Sequence, residues 1–129
     1  MAAELVILAW AVVLGFAHVL LAAAAATAQR GIAWNASARD AEVPPLAGVA
    51  ARLARASGNF RETFPFFAAL VLIVVVAGRQ DATSTLGAQL YLGARLVYLP
   101  LYALGVPWVR SLVWVASVLG IALVGAALP

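Results

Sequence analysis

Two sets of polar residues stand out because their spacing places each on one face of a helix. Arg52, Arg55, Asn59 and Glu62 are three, four and three residues apart, and Arg95, Tyr98 and Tyr102 are three and four apart. At 3.6 residues per turn both patterns form a single stripe. Arg110 follows the second stripe, just past the break Gly105-Val106-Pro107. Asn59 and Glu62 lead straight into the apolar run Phe64 to Ala77, and Arg95 lies near the middle of another apolar stretch. A charge at mid-bilayer costs on the order of 3 kcal/mol by insertion scales. Arg95 is therefore expected to face a protein interior with a partner, and Glu62 is the acid placed to serve. Two readings stay open: a structural ion pair between Glu62 and Arg95, or a ligand site that uses both charges. Arg52 and Arg61 read equally well as a solvated helix face.

The elements that must hold these stripes follow from composition. The chain has 129 residues, of which 66% are hydrophobic and 10% charged. A soluble domain is about half apolar and a quarter charged. The excess falls in long blocks, which a soluble core this small cannot hide. Lipid is the solvent that accepts them, and about 20 apolar residues of helix cross it. The expectation is one all-α domain over residues 1–129, a four-transmembrane-helix bundle with helices at about 5–26, 45–78, 84–104 and 108–128. The first block ends in Ala26-Thr27-Ala28, which looks like a signal-peptidase site. Its start carries Glu4 with no Lys or Arg, and its apolar stretch exceeds a signal core, so a retained helix is expected. Thr27 to Val43 reads as a loop. Pro44-Pro45 marks the next helix start, and Pro65 should loosen one turn inside that helix.

Other chemistry is excluded. Without cysteine there is no disulfide, no thiolate metal site and no cysteine nucleophile. One histidine makes no metal constellation, and His18 is expected to be a packed or interhelical hydrogen-bonding residue. Five of the eight arginines lie between Arg30 and Arg61, beside apolar segments. The positive-inside rule accounts for that clustering better than nucleic-acid binding does. It makes the first and third loops cytoplasmic and leaves both termini outside. Asp40 and Asp81 then fall on opposite sides of the membrane, so no Ser/His/Asp triad forms. The sequon Asn35-Ala36-Ser37 lies on the cytoplasmic side and is read as unused. Ala116 and Gly120, four apart, form a small-residue pair that permits close helix approach in lipid.

The stretch Arg52-Leu53-Ala54-Arg55-Ala56-Ser57-Gly58-Asn59-Phe60-Arg61-Glu62-Thr63-Phe64-Pro65 resembles a signature of the MAPEG superfamily, the membrane-associated proteins in eicosanoid and glutathione metabolism. Ala94-Arg95-Leu96-Val97-Tyr98, then Tyr102, then Arg110-Ser111, resembles the third helix and the start of the fourth in its bacterial-type members. Helix order and length are similar over nearly the whole chain. In place of the histidine or glutamine that the family often carries before its asparagine, this sequence has Ser57-Gly58.

The resemblance implies a homotrimer that binds glutathione as cosubstrate between subunits at the cytoplasmic side. It also implies that a lipophilic small molecule arrives from the bilayer. By the same resemblance Arg55, Asn59, Glu62, Arg95, Tyr98 and Tyr102 would hold glutathione, with Arg30 as a looser match, and Arg110 would activate the thiol. The residue types suit that task. Arginine forks bind carboxylates bidentately, and an acid matches an amine. A guanidinium beside a thiol stabilises the thiolate, which is the nucleophile. The implied activity is a glutathione-dependent transferase or peroxidase. Its rivals are a non-catalytic membrane protein of the same fold and a small proton-coupled exporter.

Overall fold

The computed structural model describes residues 1–129 and is entirely helical. Helix α1 spans Ala3–Arg30, α2 Ile32–Ala36, α3 Gly48–Val76, α4 Ala82–Ala103 and α5 Trp108–Gly125. Helices α1, α3 and α5 are each long and apolar enough to cross a membrane. Their outward faces carry Phe16, Leu20, Leu112 and Leu119, all more than half exposed. A soluble protein rarely leaves such a surface uncovered. Helix α4 is 22 residues long but more polar, and it carries Arg95 fully buried.

The core gathers Ala11, Phe67, Val71, Val74, Ala88, Tyr91 and Val124, taken from all four long helices. Helices α4 and α5 meet there backbone to backbone. A Cβ added to Gly87 would lie 2.6 Å from the carbonyl oxygen of Gly120, and one on Gly120 would lie 2.7 Å from that of Gly87. Gly120 thus makes the close helix approach that its size permits, and it makes it within the chain, against Gly87. Asp81 caps α4 reciprocally with Ser84: Ser84 N donates to Asp81 Oδ1 at 2.9 Å, and Asp81 N donates to Ser84 Oγ at 2.9 Å. The Ser84 hydroxyl then reaches Glu4 Oε2 on α1 at 2.8 Å, and Thr85 Oγ1 reaches Glu4 Oε1 at 3.1 Å. A carboxylate is favoured at a helix N-terminus, where unpaired amides give a partial positive charge. Glu4 is 2% exposed.

Several expected boundaries move. Helix α1 runs four residues past the expected end, and the anticipated loop contains the short helix α2. Pro44-Pro45 does not start the second long helix, which begins at Gly48. The proline carbonyls instead accept hydrogen bonds from the end of α1: Arg30 Nη2 donates to Pro44 O at 3.2 Å and Gln29 Nε2 to Pro45 O at 3.4 Å. Gln29 Oε1 accepts from Ala47 N at 3.0 Å, so one side chain fixes the approach to α3 from both sides. Helix α3 continues unbroken through Pro65.

Candidate functional site

Where α4 and α5 separate towards their Gly105 turn, a cavity of about 520 Å³ opens between α3, α4 and α5. Arg55, Gly58, Asn59 and Glu62 from α3, Tyr98 and Tyr102 from α4, and Arg110, Ser111 and Trp114 from α5 line it. The two helical stripes read from the sequence thus face one another. Gly105, at φ 76°, allows the tight turn that brings α5 back beside α4. Arg52 secures that turn, with Nε donating to the carbonyl of Ala103 at 2.8 Å. That bond satisfies one of the orphan carbonyls at the end of α4.

Tyr102 is the hub. Arg55 Nε donates to its hydroxyl at 3.2 Å, the Arg110 guanidinium lies 4.6 Å from its ring centroid, and Tyr98 packs at 5.4 Å. Two cations therefore share one aromatic ring, which helps to fix their positions at the cavity lining. Glu62 brings the single carboxylate to the lining. A concave space with two guanidiniums, one carboxylate, an amide and two phenols suits a small zwitterionic or polyanionic ligand.

Arg95 does not line this cavity. It lies behind Asn59 and Tyr98, 0% exposed, and Nη1 donates to Asn59 Oδ1 at 2.8 Å. Its guanidinium stacks 4.3 Å from the Tyr98 ring and 5.5 Å from that of Phe60. Nε and Nη2 have no hydrogen-bond partner. The ion pair between Arg95 and Glu62, one of the two readings left open by the sequence, is therefore not formed. A neutral amide one turn before Glu62 takes the guanidinium, which frees Glu62 for the cavity. Arg95 does face the protein interior, as its position required.

Arg30 is not brought to the cavity within the chain. Its side chain turns to Pro44 and lies 4.7 Å from the ring of Trp34. His18 is 1% exposed and packs 4.9 Å from Phe60, with neither ring nitrogen hydrogen-bonded, so only the packing half of its expectation holds. Two features escaped the sequence reading. Trp114 reaches the cavity because it stands four residues after Arg110, one helical turn on, a spacing visible in the sequence. The Glu4 clasp joins residues 80 and 81 positions apart, and no local signal announces it.

The MAPEG family model matches residues 7–128. The chain belongs to the MAPEG family. Comparison with curated proteins and with solved structures finds no match. The match takes in all four long helices, so both polar stripes and the cavity between them lie within the MAPEG region. Family membership and three long apolar helices together make this an integral membrane protein.

Proposed function

We propose that this MAPEG protein is a glutathione-dependent membrane transferase or peroxidase acting on lipophilic electrophiles. The observation that supports it most is the pairing of Arg55 and Arg110 across one tyrosine ring, in a cavity that also holds Glu62. Glutathione offers two carboxylates, an amine and a thiol. Arg55 takes a carboxylate, Glu62 takes the amine, and Asn59 with the two phenols takes peptide groups. Arg110 stabilises the thiolate: the thiol proton leaves to solvent and the guanidinium holds the anion. The sulfur then bonds to the electrophilic carbon of a substrate arriving from the bilayer while that carbon's leaving group departs with its electron pair; with a hydroperoxide, the sulfur takes the distal oxygen and releases the alcohol, and a second glutathione thiol then displaces water to give the disulfide. The protein needs no nucleophile of its own and has no cysteine. Catalysis is orientation plus electrostatic stabilisation.

Arg95 acts as a positioning residue, holding Asn59 and Tyr98 at the cavity wall. The cavity is open on one side, which leaves room for a second copy in a homotrimer, and Arg30 would contribute from that neighbour. In this reading α4 is the fourth membrane span, shielded by its neighbours. The first and third loops are cytoplasmic, and both termini lie outside.

Titration of detergent-purified protein with glutathione by calorimetry tests the reading. Binding is expected, together with thiolate absorbance at the ultraviolet edge. No binding would remove the enzyme reading. Native mass spectrometry should give three chains, and a C-terminal reporter should lie outside. A monomer that still binds glutathione would refute the shared site.

A further inference from the structure

Glutathione, the ligand proposed for the cavity, brings three anionic groups once its thiol has ionised: two carboxylates and the thiolate. The lining offers two cations, Arg55 and Arg110, beside the carboxylate of Glu62. With Arg110 on the thiolate and Arg55 on one carboxylate, the second carboxylate has no cation among the lining residues. A carboxylate taken out of water without a partner is costly. Arg95 cannot supply it, being fully buried behind Asn59 and Tyr98. Arg30 is engaged elsewhere, donating to Pro44 O and stacking on Trp34.

Arg61 is placed to do so. It stands on the flank of α3 that faces α1, but its side chain folds back: a Cβ added to Gly58 would lie 4.0 Å from Arg61 Nη2. Gly58 lines the cavity. Nothing from another helix comes as near to that point, so the glycine leaves a bare stretch of wall with a guanidinium at its edge. Residues three apart are neighbours on a helix surface, and a short swing across Gly58 brings the Arg61 guanidinium into the cavity. Six of the eight arginines are held by a hydrogen bond or a ring stack. Arg61 is exposed and held by neither, and the other such arginine, Arg79, lies past the far end of α3.

Position along α3 decides which carboxylate it takes. Arg55 and Glu62 are seven residues apart, about 10 Å along the helix. The γ-glutamyl amine and its carboxylate share one carbon. With the amine on Glu62, that carboxylate stands at the Glu62 end, away from Arg55, which is held on Tyr102. Gly58 is one turn from Glu62 on the same face. We propose that Arg61 is a further binding residue of this site: its guanidinium crosses Gly58 and takes the γ-glutamyl carboxylate, while Arg55 takes the glycine carboxylate. Three cations and one acid then meet a ligand of three anionic groups and one amine. Gly58 permits the arrangement, because a long side chain there would occupy the crossing.

The proposal rests on the glutathione reading, and calorimetry on the detergent-purified protein separates the two. The ligands are glutathione, its glycine ethyl ester, and 4-aminobutyryl-cysteinyl-glycine, which is glutathione without the γ-glutamyl carboxylate. Arg61→Gln should weaken glutathione about tenfold, the loss of one charge-assisted contact at an exposed position. It should weaken the ester by the same factor and leave the aminobutyryl ligand unchanged. Arg61→Lys should recover most of the lost affinity. Arg79→Gln should change none of the three, which excludes an effect of net charge. Melting should be unchanged in Arg61→Gln, since no hydrogen bond or ring stack is lost. Comparable weakening of the aminobutyryl ligand, or an unchanged affinity for glutathione, overturns the proposal. So does a loss confined to γ-carboxylate ligands in Arg30→Gln instead of Arg61→Gln. A wild type that binds no glutathione removes the glutathione reading and this proposal together, whereas a wild type and Arg61→Gln that bind it equally remove this proposal alone.

Discussion

The two ends of the α4–α5 pair are built on opposite plans. At the Asp81 end the helices touch through Gly87 and Gly120, Ser84 and Ser117 are fully buried, and Glu4 ties α1 to the cap of α4. At the Gly105 end the facing residues are Tyr98, Tyr102, Arg110 and Trp114, which hold the helices apart around a cavity. Small residues let backbones approach and bury polar caps, whereas long side chains with charged tips keep space open and wet. One end therefore carries stability and the other carries chemistry, and substitutions at the two should separate cleanly.

Gly120→Leu should have the largest effect. Its side chain meets backbone atoms of Gly87 and Tyr91 at 2.7 Å, which cannot move aside as a rotamer can. Over-packing ordinarily costs 1–3 kcal/mol, and here more than about 3 kcal/mol is expected. Thermal unfolding in detergent should show loss of the folded protein. Arg110→Ala comes next, at the other end. Turnover should fall about 100-fold, the size of losing one oxyanion-type donor, while glutathione affinity and melting stay nearly unchanged. Equal loss of affinity would show that Arg110 grips the ground state.

Arg95→Gln should weaken glutathione binding about tenfold by calorimetry, because the charge-assisted bond that orients Asn59 becomes an ordinary amide contact. The fold should survive, since Glu62 loses no partner. A collapse of stability instead would assign Arg95 to the scaffold and blur the contrast between the ends. Glu4→Gln should be the smallest, costing about 1 kcal/mol in unfolding, because an amide oxygen still accepts one hydroxyl of the clasp. Glutathione affinity should not change. A Glu4→Gln variant that bound glutathione poorly would mean that the tight end sets the width of the open one.

Much of this was legible in residue order. Helical spacing put Arg55, Asn59 and Glu62 on one face and Tyr98 and Tyr102 on another, and α3 and α4 display them so. Length and hydropathy marked the long helices to within a few residues, except where distant side chains intervened. The start of α3 shifted because Gln29 and Arg30 claim the carbonyls of Pro44 and Pro45, a contact 14 and 16 residues away. The close approach at Gly120 was legible, but its partner was not. A small residue announces close approach but not what approaches, and Gly87 proved to be the partner.

The sequence by itself determined that the chain is helical and apolar, that its charges cluster in two stripes, and that Arg95 must be buried. Those properties are periodic or compositional, and the 3.6-residue repeat and the cost of charge in hydrocarbon convert them directly into structure. The tertiary structure decided who meets whom. Asn59 rather than Glu62 holds Arg95, Arg110 and Arg55 share the ring of Tyr102, and Glu4 reaches Ser84. Competition for a guanidinium between an amide and a carboxylate one turn apart is settled by distances of an ångström or two. Such distances follow from how closely α3 and α4 approach and how each is rotated about its axis, which residue order alone does not fix.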